Sequence, residues 1–350
     1  MRTVRYERYG EPSQVLDVVE VAEPGLPADG QLLVRVTARP LIHGLLSEVR
    51  GKYLPLGAPP ALPVGGNQVG HEGVGVIVSG GSGTDGRFRV GQRVAFFPGT
   101  PSCAEYVLVD AEHATLVPDD MDDEVAAQLH VNPLTATMLL RAAEDSGAAS
   151  GTRTPTVITA GGSTVSRMFA ALASKKNVPV VSLVRRDSAV EALQQQLPEC
   201  AVVSTEGASW KDELAAAVGE NGIRVALDTV GGETGTDLLR MLAPGGALIV
   251  FGDLSGGLLQ ASALDFPIRG IQIFGVTLID WPRLPTDVRA SDVAGAVQLA
   301  QERPDLFSAA ATYDLGDVRE AALHAERPEK SGLVILRSDP TGSLHTNHRT

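Results

Sequence analysis

Short runs of alternating apolar and polar residues, separated by Gly, Pro and Asp, fill the first part of the chain. Alternation with a period of two is typical of strands with one buried face. The pattern predicts strands at residues 1–6, 15–21, 31–38, 74–78, 93–97, 104–109 and 115–117. Many short strands with turn signals at short intervals predict a folded-over, barrel-like β domain.

From Asp122 the pattern changes to helical spacing, with a break predicted at Val131–Pro133 because proline interrupts a helix. Strands and helices then alternate. The strands are predicted at residues 157–159, 178–184, 201–204, 224–228, 246–251 and 271–279. Such alternation predicts a doubly wound parallel sheet of the α/β class. A helix at 290–302 and strands at 309–313 and 332–337 follow, and the strands are expected to rejoin the first domain.

The unit at residues 156–186 carries the clearest chemical signal. A turn with Gly161 and Gly162 joins a β-branched strand to an amphipathic helix, and the next strand ends in Arg185 and Arg186. This order is typical of the first βαβ unit of a dinucleotide-binding Rossmann domain. The helix N-terminus would meet a pyrophosphate, and a guanidinium group after the second strand suits the 2′-phosphate of NADP.

The glycine-rich turn departs from the Gly-x-Gly-x-x-Gly fingerprint, since Thr164 and Ser166 occupy the later glycine positions. Ser163, Thr164 and Ser166 could offer hydroxyl groups to phosphate instead. Gly231 and Gly252, which follow the fourth and fifth strands, would let the backbone approach the cofactor. An ordinary βαβ unit of another α/β protein stays an alternative.

These elements predict a β-rich domain interrupted by a Rossmann domain and completed by the C-terminal segment. The predicted boundaries are 1–125 for the first part of the β-rich domain and 126–275 for the Rossmann domain. Residues 276–340 return to the β-rich domain, and 341–350 form a polar, disordered tail. The cleft between the domains is the expected active site.

Composition narrows the class of protein. The net charge of −13 argues against a binder of nucleic acid or anionic membranes. No segment approaches the roughly 18 uninterrupted apolar residues of a membrane-spanning helix, and the N-terminus lacks the apolar core of a signal peptide. Cys103 and Cys200, the two cysteines, are too few for a disulfide scaffold, so a cytoplasmic protein is expected.

Several short segments occur in an order that resembles one enzyme superfamily. They are Gly51–Tyr53, Leu62–Asn67, Val131–Ala136, Leu183–Arg185, Asp228–Gly232, Leu238–Arg240 and Gly275–Trp281. Their order over nearly the whole chain resembles the medium-chain dehydrogenase/reductase superfamily, and within it the zinc-independent 2-enoyl thioester reductases. The resemblance implies a Rossmann domain inserted into a GroES-like catalytic domain, with NADPH as the cofactor.

A zinc site is the first alternative to consider. His71 and Glu72 lie in a Gly-His-Glu-Gly segment that resembles the ligand motif of zinc alcohol dehydrogenases. Those enzymes need an upstream cysteine, and residues 40–45 contain none. A structural zinc lobe would need four closely spaced cysteines. We therefore predict no metal, with His71 in a turn or core; a site made by His43, His71 and Glu72 stays an alternative, as does a zinc alcohol dehydrogenase.

The resemblance also implies catalytic roles. In the resembled family a tyrosine acts on the thioester enolate as hydride reaches the β-carbon, and Tyr53 is the matching residue. A phenol can donate a hydrogen bond while remaining neutral at pH 7. Asn132 and Thr135 would line the nicotinamide and substrate pocket, and Trp281 would lie near the acyl pocket. The alternatives are structural: loop packing for Tyr53, a turn or helix cap for Asn132 and an apolar contact for Trp281.

The sequence thus predicts an NADPH-dependent reductase of an activated carbon–carbon double bond. The substrate would be a small or carrier-bound acyl compound, a 2-enoyl thioester of CoA or acyl carrier protein. A quinone or enone reductase is the alternative enzyme. A non-catalytic homologue, in which Thr164 and Ser166 block the pyrophosphate, is the alternative of a different class. We also expect a homodimer, because the apolar strand at 271–279 would lie at a sheet edge.

Overall fold

The computed structural model describes residues 1–52, 61–84, 86–148, 154–328 and 330–338. The chain divides into two compact units, the first formed by residues 1–131 with 297–350 and the second by residues 132–296. The predicted tail at 341–350 lies outside the described residues.

Strands form the sheets of the first unit and the central sheet of the second. In chain order they are β1 (Arg2–Tyr6), β2 (Asp17–Glu20), β3 (Gln31–Leu41), β4 (Asn67–Gln68), β5 (Gly73–Gly80), β6 (Arg93–Phe96), β7 (Tyr106–Asp110), β8 (Ala114–Leu116), β9 (Thr156–Ile158), β10 (Val180–Val184), β11 (Ala201–Ser204), β12 (Ile223–Asp228), β13 (Leu242–Val250), β14 (Gln272–Gly275), β15 (Ala309–Asp314) and β16 (Leu333–Arg337).

The α-helices lie mostly between the strands of the second unit. In chain order they are α1 (Pro12–Val15), α2 (His43–Val49), α3 (Asp123–Ala126), α4 (Val131–Ala143), α5 (Thr164–Lys175), α6 (Val190–Gln196), α7 (Trp210–Val218), α8 (Gly232–Met241), α9 (Asp265–Arg269), α10 (Thr286–Glu302) and α11 (Val318–Ala325).

The first unit is built on a seven-stranded sheet in the order β15-β16-β3-β5-β6-β8, with β7 also paired to β3. A second sheet has the order β2-β1-β4. In the first part of β3, from Gln31 to Ala38, every second residue is buried, as its alternating sequence predicts, and Leu32, Val34 and Val36 pack in one core cluster. Because β16 pairs with β3, the predicted return of the C-terminal strands to the first domain is confirmed.

The second unit is built on a six-stranded parallel sheet in the order β11-β10-β9-β12-β13-β14. Numbered along the chain, this is the order 3-2-1-4-5-6 of a Rossmann fold. All five residues of β10 are buried, as expected for a strand covered on both faces. The predicted α/β class, with a doubly wound sheet inserted into a β-rich domain, is confirmed.

The predicted helix break lies earlier than Val131–Pro133. Helix α3 ends at Ala126, α4 begins at Val131, and Pro133 lies in the first turn of α4. The first N–H groups of a helix have no partner within it, so proline is tolerated there. Asn132 is consequently held at a helix start rather than in an open loop.

The sixth strand of the Rossmann sheet is shorter than the predicted 271–279. Strand β14 covers Gln272–Gly275 and lies at the sheet edge, as predicted. Thr277 then starts a 3₁₀ turn at Leu278–Arg283 by accepting a hydrogen bond from the N–H of Ile279 at 3.3 Å. Such local side-chain bonding competes with strand pairing.

The boundaries of the two units differ from the predicted ones. The second unit begins after Val131 rather than after residue 125, and it extends to Ala296 rather than to residue 275. The later end has a physical cause. Asp292 of α10 bonds to Trp281 and to Arg141 of α4, which ties the segment after β14 to the second unit.

Candidate functional site

The carboxyl ends of β9 and β12 meet where the strand order of the parallel sheet reverses. Thr159 follows β9, and its hydroxyl donates to Oδ1 of Asp228, at the end of β12, at 2.8 Å. The backbone N–H of Thr229 donates back to the Thr159 hydroxyl at 2.9 Å. Ligands of open α/β sheets bind outside the strand ends at such a point. Both side chains are fully or almost fully buried, so they fix the two turns that border the candidate site.

The turn after β9 needs one of its two glycines for packing. The N–H of Gly161 donates to the carbonyl oxygen of Leu183 at 2.7 Å. A Cβ at Gly161 would lie 2.9 Å from Cβ of Ser182 and 3.2 Å from the carbonyl oxygen of Leu183. A Cβ at Gly162 would meet nothing within 4 Å. Gly161 therefore lets the turn approach β10, whereas Gly162 leaves open space over the turn.

This difference predicts opposite outcomes for two matched substitutions. Gly161→Ala is expected to destabilise the protein by about 1–3 kcal/mol, because its methyl group would be forced into packed neighbours. Gly162→Ala should leave the free energy of unfolding nearly unchanged. Urea unfolding of both variants measures the difference. Equal losses in the two variants would contradict the role given to Gly161.

Hydroxyl groups cap the start of α5. Oγ of Ser163 accepts a hydrogen bond from the N–H of Ser166 at 3.2 Å and donates to Oγ of Ser166 at 2.9 Å. Oγ of Ser166 donates in turn to the carbonyl oxygen of Thr159 at 3.0 Å. Ser166 is fully buried and Thr164 nearly so. Ser166, at one of the substituted glycine positions, thus binds α5 to the residue after β9, and the hydroxyls of Ser163 and Ser166 are engaged within the protein.

Basic residues follow β10, as predicted. Arg185 is exposed, and its side chain has no hydrogen bond or ion pair within the described part of the chain. Arg186 is half-buried and has partners of its own. Oε2 of Glu206 accepts a hydrogen bond from the N–H of Asp187 at 2.8 Å, which fixes the turn after the two arginines. Sequence reasoning missed Glu206; its signal is an acid two residues after β11.

Glycines after β12 and β13 serve close loop packing. Gly231 has a φ of 70°, in the left-handed region, and its N–H donates to Oδ2 of Asp228 at 3.0 Å. A Cβ at Gly252 would overlap the hydroxyl of Thr229. Asp228 therefore organises the turn that contains Gly231, while Gly252 lets the turn after β13 pass close to it. Contact of Gly231 and Gly252 with a cofactor stays a prediction.

The start of α4 holds two further predicted residues. Asn132 is 7% exposed, and its Nδ2 has no hydrogen-bond partner among the described residues. A buried donor left unpaired costs about 1–3 kcal/mol. Thr135, one turn further, is half-buried and does have a partner. Asn132 therefore presents an N–H that a bound group could accept.

Glu72, in the first unit, is 2% exposed. Its Oε2 accepts hydrogen bonds from the N–H groups of His130 at 3.3 Å and Val131 at 2.9 Å, where α4 begins. Its Oε1 is buried without a partner in the described structure. Burial raises the pKa of Glu72 to about 8, although both N–H groups and the charge of His71 act in the opposite direction. At pH 7 the carboxyl group of Glu72 is therefore mainly protonated.

His71 is paired with a carboxylate rather than lying in a set of metal ligands. Its Nε2 lies 2.9 Å from Oε2 of Glu48, and this hydrogen bond raises the pKa of His71. His43 bonds instead to the hydroxyl of Ser47 at 3.2 Å. Among the described residues, no group of three or more His, Cys, Asp and Glu side chains could hold a metal ion.

Trp281 is 4% exposed and lies in the 3₁₀ turn after β14. Its indole N–H donates to Oδ2 of Asp292 at 3.0 Å, and Oδ1 of Asp292 accepts from Arg141 at 2.7 Å. The guanidinium carbon of Arg289 lies 5.9 Å from the ring centre. The structure therefore places Trp281 in a polar network with α4 and α10, a network that sequence reasoning missed.

Tyr53 lies outside the described residues. Of the other predicted residues, the structure brings together those of the turn after β9 and links them through Thr159 and Asp228 to the turn that contains Gly231. Asn132 and Thr135 form a second group on α4, the helix that Arg141 and Asp292 connect to Trp281.

In the described chain no helix is long and apolar enough to cross a membrane, and the cytoplasmic location stays a prediction.

The fold is that of a two-unit protein in which the segment of a Rossmann domain interrupts the chain of a β-rich domain. Two family models match the chain, the alcohol dehydrogenase GroES-like domain at residues 28–119 and the zinc-binding dehydrogenase at residues 164–292. The chain belongs to the medium-chain dehydrogenase/reductase superfamily, as its motifs predicted.

Its curated relatives include two kinds of reductase. The mitochondrial enoyl-[acyl-carrier-protein] reductase of Bos taurus is 27% identical over 288 residues, which cover 81% of this chain and 74% of that protein. Quinone oxidoreductase-like protein 2 of Bos taurus is 25% identical over 258 residues, covering 73% of this chain and 72% of that protein. The predicted likeness to enoyl reductases is confirmed.

Solved structures agree with this fold. A Bacillus thuringiensis protein described, by inference, as an NADPH:quinone reductase is 26% identical, with a TM-score of 0.81 over 97% of this chain and 99% of that one. The Escherichia coli quinone oxidoreductase, solved with NADPH, has a TM-score of 0.79 over 97% of this chain and 100% of that one. At 18% identity, the second likeness shows the fold alone.

Proposed function

We propose that this protein is an NADPH-dependent reductase of an activated carbon–carbon double bond, with a 2-enoyl thioester of CoA or acyl carrier protein as substrate. The observation that carries the proposal is the likeness to enoyl-[acyl-carrier-protein] reductases over 81% of the chain. The resemblance of the segments around Tyr53 and Asn132 to the thioester reductases supports it.

The residues present fit a nicotinamide dinucleotide. Helix α5 has 12 residues and directs its N-terminal N–H groups toward the switch point of the sheet, where an anion is favoured. The open space at Gly162 leaves room beside those N–H groups. Arg185 would bind the 2′-phosphate, with Arg186 beside it. A reduced nicotinamide held by these residues would supply a hydride for the β-carbon of the substrate.

The remaining roles belong to the chain's own side chains. Tyr53 donates a hydrogen bond to the thioester oxygen as negative charge develops on it, or supplies its proton. The unpaired N–H of Asn132 is a second candidate donor to the substrate, with Thr135 one turn away. Trp281, held by Asp292, forms part of the acyl wall. A buried donor such as the amide of Asn132 stabilises a developing charge more than a mobile one does.

The proposal is tested by following NADPH oxidation with purified protein and crotonyl-CoA, with quinones and enones assayed in parallel. Reduction of crotonyl-CoA with a higher kcat/KM than any free quinone or enone supports the proposal. Turnover of quinones alone would favour the quinone oxidoreductase, which the likeness to quinone oxidoreductase-like proteins and NADPH:quinone reductases makes the second candidate. Failure to bind NADPH in a fluorescence titration would favour a non-catalytic homologue.

Cofactor choice rests on Arg185. Arg185→Gln is expected to weaken NADPH binding about 10- to 100-fold, because a charge-assisted phosphate contact contributes roughly 1.5–3 kcal/mol. NADH has no 2′-phosphate for Arg185 to bind, so the dissociation constant of NADH should change by less than about twofold. Nicotinamide fluorescence measures both constants. Arg186→Gln is the matched control, and a larger loss in that variant would assign the phosphate to Arg186 instead.

A homodimer is the proposed assembly. Strand β14 pairs with β13 on one side and lies at the sheet edge. Leu258, Leu264, Ile268 and Ile279, which flank β14 in the chain, are each between 67% and 84% exposed. A second copy of this strand would cover the edge and that apolar surface. Light scattering after gel filtration tests this: a mass of one chain would rule the dimer out.

A further inference from the structure

The carboxyl group of Asp228 is fully buried at the end of β12, in the second unit. Its Oδ1 accepts hydrogen bonds from the hydroxyl of Thr159 at 2.8 Å and from the N–H of Val230 at 3.0 Å. Its Oδ2 accepts from the N–H of Gly231 at 3.0 Å. Both oxygens thus act as acceptors, which is the pattern of an ionised carboxylate. The three donors are neutral groups, so they orient the negative charge without cancelling it.

The packing around this carboxylate keeps it in place. A Cβ at Gly235, in the first turn of α8, would overlap Oδ2 of Asp228. The carbonyl oxygen of Asp228 accepts from the N–H of Phe251 at 2.9 Å. The next carbonyl oxygen, that of Thr229, accepts from the N–H of Leu254 at 2.8 Å. Backbone bonds to the turn after β13 therefore hold the turn after β12 around a fixed negative charge.

The two helices on either side of the switch point begin beside groups of different charge. The neutral hydroxyl of Ser163 caps α5, whereas the carboxylate of Asp228 binds the N–H groups just before α8. A pyrophosphate is an anion, so it is favoured at the start of α5 and disfavoured beside Asp228. A dinucleotide spans the crevice at the switch point, with one nucleotide on each half of the sheet. With the adenosine half beside Arg185, the nicotinamide half would lie on the side of Asp228.

We propose that Asp228 is a positioning residue that favours the oxidised form of the nicotinamide cofactor, an inference that rests on the proposed function. Transfer of a hydride from NADPH to the β-carbon leaves one positive charge on the nicotinamide ring and an enolate on the substrate. A fixed negative charge in a buried environment interacts with a positive charge more strongly than it would in water. The carboxylate of Asp228 therefore stabilises the charge that the ring acquires, although the buried side chain does not touch the ring.

The test compares the dissociation constants of NADP⁺ and NADPH for the purified full-length protein. Nicotinamide fluorescence measures the constant of NADPH, and displacement of bound NADPH measures that of NADP⁺. In Asp228→Asn, which removes the charge and keeps the shape of the side chain, the constant of NADP⁺ should rise at least about fivefold more than that of NADPH. A merely structural role would raise both constants by the same factor. Equal rises, or no change in either constant, would overturn the proposal.

Two further variants make the result specific to Asp228. Asp237→Asn removes the same charge from the middle of α8, where Asp237 is paired with Lys211 at 2.6 Å, and it should leave the ratio of the two constants unchanged. Asp228→Ser also removes the charge and places a smaller acceptor near the same N–H groups, so it answers the question if the asparagine variant does not fold. A change of the ratio in Asp237→Asn as large as in the Asp228 variants would overturn the proposal.

A failure of the proposed function would be seen separately, because the binding measurements need no substrate. If the unchanged protein binds neither nucleotide, the cofactor assignment falls and the role of Asp228 falls with it. If the protein binds both nucleotides but does not reduce crotonyl-CoA, the ratio of the two constants still decides the role of Asp228. Reduction of crotonyl-CoA together with an unchanged ratio in the Asp228 variants would overturn the role of Asp228 alone.

Discussion

Glu72→Gln is expected to stabilise the protein at pH 7 by about 3 kcal/mol, which corresponds to a rise of roughly 5–10 °C in the midpoint of thermal unfolding. Glutamine keeps an oxygen that can accept from the N–H groups of His130 and Val131, the two bonds that Oε2 makes. It removes the carboxyl group whose ionisation is opposed by burial. The substitution therefore keeps the hydrogen bonds from His130 and Val131. It removes only the free-energy cost of ionising a buried carboxyl group.

The sign of the effect follows from the direction of the pKa shift. Burial raises the pKa of Glu72 from 4.5 to about 8 in the folded protein. The stabilising contribution of the protonated group is fully present below pH 4.5 and is lost as the pH rises toward 8. The glutamine variant has no such loss. Its advantage should be near zero at pH 4.5, grow through neutral pH and level off above pH 8.

Thermal unfolding monitored by circular dichroism between pH 4.5 and 8.5 measures this profile. Glu48→Gln is the matched control, because Glu48 is a half-exposed carboxylate whose partner is the ring of His71. That variant should gain nothing and should lose a little stability at low pH, where His71 is charged. A Glu72→Gln variant that is less stable than the unchanged protein at every pH would contradict the conclusion that Glu72 is a buried, protonated acid.

The architecture was predictable because it rests on local patterns. Short uncharged runs such as Val180–Val184 are typical of strands buried on both faces of a sheet, and alternation with helices makes a parallel sheet the simple arrangement. The return of β16 to the first unit also followed from its pattern. Predicted ends were less accurate, as at Pro133 and Thr277, because side-chain hydrogen bonds and the first turn of a helix decide them.

Long-range partners were not predictable from local patterns. Arg39 is fully buried on β3, where alternation alone would predict solvent for an arginine. Its guanidinium donates to four oxygens from two distant segments, namely those of Ser102 and Ala104 in one and of Leu336 and Ser338 in the other. Glu72 is a similar case, since the two N–H groups that it binds lie 58 and 59 residues further along the chain.

In the candidate site, too, features set by local pattern were predictable and features set by distant partners were not. The places of the glycine-bearing turn after β9 and of Arg185 after β10 could be predicted from sequence, because they depend on position along one βαβ unit. Their contact with a cofactor stays a prediction. The partners of Ser163 and Ser166 depend on side-chain rotation within a packed turn, so the sequence could name their hydroxyls but not assign them to Thr159. Asp292 was missed because its two partners lie on different elements.

Tyr53→Phe is expected to lower kcat for a 2-enoyl thioester by at least about 100-fold, the lower range for a positioned acid or hydrogen-bond donor. The substitution removes one hydroxyl group and keeps the ring. Because the proposed hydroxyl acts on the thioester oxygen as charge develops, its loss should affect the transition state more than the ground state. KM should therefore change little compared with kcat.

The experiment separates chemistry from cofactor binding. NADPH affinity, measured by nicotinamide fluorescence, should stay within about twofold of the unchanged protein, since Tyr53 is assigned to the substrate oxygen and not to the dinucleotide. Tyr106→Phe is the matched control: Tyr106 is half-buried on β7, in the first unit, and has no role in the proposed site. If Tyr53→Phe lowers turnover and NADPH affinity equally, or lowers neither, the hydrogen bond to the enolate oxygen must come from another donor. The unpaired N–H of Asn132 would then be the next group to remove, because it is a buried donor already present where α4 begins.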